Sequence, residues 1–239
     1  MLIDIFFLSV GTADSLSVVP CFFNVMSIYE RKSRLLNLHL NKSVTFAGEL
    51  DMPCLQPFLD EPPEMFFPFN VAVSCRDYNS GVHFYIDDYQ FERVWQQPER
   101  YPQLLERFRC VVAPDFSQYA DMPRAMRVWQ SYRGKALAAW WQKEGVRVIP
   151  NATWSTPDSF SYCFEGIPTD SVVAVNCMGI RSSPLSMYFW RLGYEEMFRR
   201  LRPRLILRYG DMMPGEREDI SVYYPNEYIK RLKEYGRKR

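Results

Sequence analysis

The sequence predicts an α/β fold built on a mainly parallel sheet, either an incomplete or irregular TIM-like barrel or an open doubly wound sheet. Three observations predict it. Apolar runs rich in β-branched and aromatic residues repeatedly end in a polar residue: GVHFYIDDYQFERVW (81–95), CVVAPDF (110–116), VRVIPNATW (146–154), SVVAVNCMG (171–179) and LILRYGD (205–211). Their onsets, near residues 82, 110, 146, 171 and 205, are about 25 to 36 residues apart and mostly enclose a helical pattern, the signature of βα units with right-handed crossovers. A chain of 239 residues with 47% hydrophobic and 24% charged residues can bury a sizeable core.

Residues 1–26 are apolar but interrupted by Asp4 and Asp14, without the basic leader of a signal peptide or a continuous span for a membrane. They are expected to be an extension ahead of Met26, with a single α/β domain over 27–239. Residues 27–41 suggest a short basic helix, and SVTFAG (43–48) a strand. The segment carrying Pro53, Pro57, Pro62, Pro63 and Pro68 cannot be helical. FNVAVS (69–74) is a further strand candidate, bringing the count to seven. Residues 90–108 read as a helix broken near Pro98 and Pro102.

Asp121 is placed to cap the helix opened by Pro123, and Gly145 to end it. In that helix Ala125, Val128, Trp129, Tyr132, Ala136, Ala139 and Trp140 recur at helical spacing and suggest a core face. A short helix follows Pro157. Ser182, Ser183 and Pro184 open another that runs to Arg202. A terminal helix over 226–235 and a solvated basic tail, Arg237 to Arg239, complete the reading.

With 29 basic against 28 acidic residues the net charge is +1, so composition points to no nucleic-acid partner, although local patches remain open. The six cysteines are scattered without a CxxC pair, as reduced core residues of a cytosolic protein would be. Two histidines, His39 and His83, leave little material for a histidine-rich metal site or a Ser-His-Asp triad, and His83 alternates with Tyr85 as a packed strand residue. Neither GxGxxG nor GxxxxGK[ST] occurs.

Parallel α/β sheets carry their sites at the carboxyl ends of the strands. Those ends present Asp87, Asp88, Asp115 and Asp211 as candidate catalytic residues, and Asn151, Trp154, Asn176 and Tyr209 as candidate substrate-binding residues. Converging carboxylates can hold a divalent cation or split their pKa values into an acid and a base, and neighbouring amides can orient a substrate. Asp and Asn after a strand also start loops and cap helices.

The blocks DDYQFERVW (87–95), APDFSQYADMPRAM (113–126), VIPNATWS (148–155) and FEGIPTDSVVAVNCMG (164–179) resemble a bacterial and phage family defined as a domain of unknown function and frequent on mobile elements. The likeness spans residues 43–211. It implies a cytoplasmic protein serving an element's maintenance or its conflict with a host, and it carries no activity, and so no catalytic residue, across.

The expectation is a metal-assisted or acid-base hydrolase acting on a phosphorylated or nucleotide-like substrate. A divalent cation is the possible cofactor. The rival is a non-catalytic protein that binds a small ligand or docks on a partner through surfaces such as Arg199, Arg200, Arg202 and Arg204. That cluster also fits a solvated helix face.

Overall fold

The computed structural model describes residues 33–42, 44–217 and 221–224. The expected extension over 1–26, residues 27–32 of the first basic helix, and the expected helix over 226–235 with its basic tail lie outside the described residues. The fold is mixed α/β with a mainly parallel sheet.

A small antiparallel pair, β1 (Phe46–Ala47) and β2 (Met52–Pro53), stands apart from the main sheet. The run at 43–48 is therefore not one of the parallel strands. Four parallel strands follow in sequence order: β3 (Phe66–Pro68), β4 (Gly81–His83), β5 (Cys110–Val112) and β6 (Val148–Ile149). A second parallel set contains β7 (Val172–Asn176), β8 (Leu205–Tyr209) and β9 (Ser221–Tyr224). One parallel bridge, Asn151 with Ala174, joins the sets, as the Ala174 amide donates to Pro150 O (2.8 Å) and the Ala152 amide to Ala174 O (2.9 Å). No pairing joins β9 back to β3 among the described residues.

The strand expected at 69–74 is a short helix, Phe69–Ala72. Pro68, extended at φ −64° and ψ 146°, closes β3 and starts the turn, and Phe69 and Ala72, three apart, are the buried pair. Apolar content alone did not distinguish the two periods. β9, which follows a charged, Pro- and Gly-containing stretch, is a strand not anticipated from the sequence.

Two long helices dominate: α1 (Arg124–Lys143) and α2 (Pro184–Leu201). Asp121 caps neither: Pro123 occupies the N-cap position of α1, with no side-chain capping bond. Gly145 at φ 90° does follow the end of α1, in the left-handed region that favours glycine. At α2, Ser183 accepts from the Ser186 amide and Pro184 takes the first helical position.

The expected face of α1 holds in part: Ala136 and Ala139 are buried, and Val128, Tyr132 and Trp140 pack half-buried against the core. Trp129 and Ala125 are exposed, whereas Arg127, Ser131, Gly134, Lys135 and Ala138 are covered. Close approach selects the small residues: a Cβ on Gly134 would lie 2.7 Å from Pro114 O, in the loop after β5.

Three apolar clusters form the core. One lies between α1 and β4–β6, around Phe84, Phe91, Leu137 and Trp141; another between α2 and β7–β8, around Val173, Tyr194, Met197 and Ile206. The third, with Phe58, Cys110, Val112, Ile149, Val172, Ala174 and Leu207, takes residues from both strand sets. On the same side, the Tyr209 ring meets His83 (centroids 4.6 Å) and Tyr85 (4.9 Å), so β8 and β4 approach across the sheet. Among the described residues, no helix is long and apolar enough to cross a membrane.

Candidate functional site

The strand order places the ends of β5, β6 and β7 side by side, and three polar side chains from those ends meet. Asp115, three residues past β5, accepts through Oδ1 from Asn151 Nδ2 (2.9 Å) and from the Thr153 hydroxyl, and through Oδ2 from Asn176 Nδ2 (3.2 Å). Asn151 also donates to Thr153 Oγ1 (2.7 Å), and its Oδ1 accepts from the Tyr85 hydroxyl (2.8 Å). The Asn176 carbonyl takes the Met178 amide (2.9 Å), which fixes the amide orientation toward Asp115.

Burial pushes the Asp115 carboxyl up from the usual carboxylate range; the bonds from Thr153, Asn151 and Asn176 pull the other way, and the Asp88 charge adds to the rise. Burial also drives the Tyr85 hydroxyl well above its ordinary value, with the charge of Asp115 reinforcing it. His83, behind Tyr85, is driven down to about 3 by burial, and its Nδ1 accepts from the Tyr85 amide (3.2 Å). His83 is thus a neutral packing residue near pH 7.

A cleft of about 280 Å³ opens over Asp115. Asn176 and Thr153 share its floor, Trp154, Phe189, Trp190, Met178 and Ile180 contribute apolar surface, and Tyr119 stands on the loop after Asp115. Trp154 lies against α2 where Gly193 leaves room: a Cβ there would be 2.1 Å from Trp154 Nε1.

A second cavity beneath Asp115, large enough for about one water, reaches Gln130, Ser131, Lys135 and Cys163. Lys135 is 5% exposed and donates to Ser131 Oγ (3.1 Å), Tyr162 O (3.0 Å) and Cys163 O (2.9 Å); burial lowers its pKa to about 8.

The remaining expected residues are dispersed. Asp88 accepts from the Ser117 amide (3.2 Å) and hydroxyl (2.8 Å) and from Gln130 Nε2 (3.3 Å), tying the loop after Asp115 to α1. That chain continues through Arg133, which donates to Gln130 and to Glu92 (2.5 Å) and lies over the Phe116 ring (3.9 Å). Asp87 is exposed beside Gln90, and Asp211 is exposed beyond β8. Tyr209 belongs to the aromatic group around His83 and does not line the cleft. No group of three or more His, Cys, Asp or Glu among the described residues can hold a metal ion, so the four aspartates do not assemble a multidentate cation centre.

Thr153 and Tyr85 were missed as site residues. Each lies two positions from a residue already singled out, Asn151 and His83 respectively, and the alternation of extended chain was the available signal.

The arginine cluster is largely neutralised. Arg199 and Arg200 both donate to Glu196, Arg200 also approaches Glu165, and Arg202 pairs with Asp170.

A family model described as a domain of unknown function, DUF4417, matches residues 44–236. The chain is 39% identical over 202 residues to the Gene 1 protein of Mycobacterium phage L5, covering 81% of this chain and 87% of that protein. It is 40% identical over 201 residues to the Gene 1 protein of Mycobacterium phage D29, covering 77% and 72% respectively. No solved structure matches.

Proposed function

The chain belongs to the family of the domain of unknown function DUF4417, and on that footing we propose that it is a phage-type hydrolase whose acid-base centre is Asp115. The observation that carries this reading is the carboxylate held by Asn151, Thr153 and Asn176 on the floor of an open cleft. In its ionised form Asp115 is a base for a water or substrate hydroxyl entering the cleft; its raised pKa brings it closer to a useful proton acceptor or donor. Asn151 and Asn176 keep the carboxylate oriented. Asp88 acts indirectly, by anchoring Ser117 and hence the loop that carries Asp115.

The acid-base route is favoured over the metal-assisted one by the donor set, which offers one carboxylate to the cleft. The incomplete-barrel form of the sheet is supported by the meeting of His83 and Tyr85 with Tyr209 and by the core cluster shared between the two strand sets. A cytoplasmic role in an element's maintenance is consistent with its phage relatives.

Chromogenic phosphate esters, carboxylic esters and glycosides, tested with and without EDTA, examine this reading. Turnover that survives chelation and falls at least a hundredfold in Asp115→Asn is expected. Turnover that needs a divalent cation, or that persists in the variant, sinks it. The non-catalytic alternative is favoured by one observation: both Asp115 oxygens already accept from protein donors, which also suits a fixed recognition surface. Saturable ligand binding with no turnover of any related substrate would establish that alternative.

A further inference from the structure

The cleft over Asp115 is chemically one-sided. Among the described residues lining it there are one carboxylate, two side-chain amides (Gln118 and Asn176) and several hydroxyls, and no lysine or arginine. A phosphate entering it would lose water, meet no cation and lie near a like charge. These walls favour a ligand without net negative charge, and the phosphorylated substrate expected from the sequence finds no matching cation here.

The aromatic geometry narrows the class. Trp154 and Trp190 have centroids 6.0 Å apart and planes tilted by 45°. A flat heterocycle sandwiched between two rings needs them parallel and roughly 7 Å apart, two contact distances. The two indoles instead pack on each other: Trp190 is 3% exposed and stacked on Tyr194 (4.9 Å), so half-buried Trp154 is the indole that presents a ring face to the cleft. Trp154 cannot retreat from it, because its ring lies against Gly193 and neighbours Phe164 at 5.9 Å. A puckered ring with an apolar C–H face and a hydroxylated edge fits a single ring wall beside a polar floor: the face lies on Trp154 and the edge turns to carboxylate and amide. The hydroxyls can donate to Asp115 and accept from Asn176.

We infer that the cleft binds an uncharged carbohydrate ring, with its C–H face on Trp154 and its hydroxyls on Asp115 and Asn176. This rests on the reading of the cleft as a ligand site, but not on its being hydrolytic.

The test is a tryptophan-fluorescence titration, with saturation-transfer NMR, using glucose, N-acetylglucosamine, maltose and cellobiose, and with adenosine, uridine and inorganic phosphate as comparison probes. At least one saccharide should bind saturably, with Kd below about 10 mM, and more tightly than any comparison probe. Trp154→Ala and Asn176→Ala should each weaken that binding at least tenfold, while Trp154→Phe retains most of it. Gly193→Ala, which displaces the indole without changing a lining residue, should weaken it comparably. Circular dichroism and melting curves select the variants that fold, and NMR follows binding where a tryptophan is removed.

No saturable saccharide, tighter binding of a nucleoside or phosphate, or indifference to both Trp154→Ala and Gly193→Ala overturns the inference. Saccharide binding without turnover of any of the chromogenic esters or glycosides overturns the hydrolase reading alone. Chelation-resistant, Asp115-dependent hydrolysis of another substrate, without saccharide binding, overturns the carbohydrate inference alone.

Discussion

Asp115 and His83 titrate in opposite senses because burial disfavours the charged form of each. For His83 the folded value near 3 lies below the ordinary 6.5, so only the unfolded chain takes up this proton between those limits. Its contribution to stability is therefore complete above about pH 6.5 and is lost as the pH falls toward 3, by roughly 3–5 kcal/mol at most. Denaturation midpoints of His83→Gln, measured against the parent from pH 7 to 4, should show a shallower acid loss. For Asp115 the folded pKa is raised, so its relative stabilisation is present below the ordinary carboxylate range and is lost as the pH rises through the folded value. Asp115→Asn should remove that loss, and any turnover that uses the ionised carboxylate should rise with pH through the same interval. An activity profile identical in parent and variant would contradict this. The sequence showed Asp115, Asn151 and Asn176 because parallel strands bring their carboxyl ends to one edge. It did not show which aspartates would be turned outward, since that depends on loop paths after the strand, as Asp87 and Asp211 demonstrate.

At the scale of elements, α1 shows how the covered face of a helix can extend beyond its apolar stripe, which holds at Ala136 and Ala139 and fails at Ala125 and Trp129. Its aromatic residues follow helical spacing, but contact with the loop after β5 requires Gly134, with Ala138 one turn on. Trp129 instead stacks on Tyr132 (5.6 Å) near the surface. Gly134→Ala therefore tests packing against propensity. Alanine gains up to about 1 kcal/mol of helix preference, yet its Cβ meets Pro114 O and the helix must shift. A net loss of about 1–3 kcal/mol is expected in urea denaturation. A gain would mean that the helix moves without strain. Because Pro114 precedes Asp115, the same variant should weaken any ligand bound in the cleft. Regular strands such as Val172–Asn176 and Leu205–Tyr209 were legible to the residue, whereas Phe69–Ala72 was not: three apolar residues in four positions satisfy a strand and a helix turn equally.

For the whole molecule, the two strand sets meet through one bridge, but the third core cluster draws Cys110, Val112 and Ile149 from the first set and Val172, Ala174 and Leu207 from the second. Apolar contacts at that seam should couple the sets more strongly than its few hydrogen bonds do. Unfolding should then be a single transition, coincident by far-ultraviolet circular dichroism and tryptophan fluorescence, since Trp141 lies in one set's core and Trp190 in the other's. Ile149→Ala should lower stability by about 2–5 kcal/mol while the probes remain coincident. Two separated transitions would show that the seam does not bind the sets into one unit. The alternation of strand and helix was readable from spacing alone; the thinning of the pairing between β6 and β7 to one bridge was not, because it depends on strand length and twist.

The sequential strand order also orders events in time. A ribosome releases β3 to β6 and α1 before β7, so the first core can begin to close while Asp115 has only Asn151 and Thr153 as partners. Asn176 and the apolar wall from α2 arrive later. Until they do, the carboxyl lacks one of its three donors and the α2 side of its cleft, so the site is finished only by the last docking step of the nascent chain.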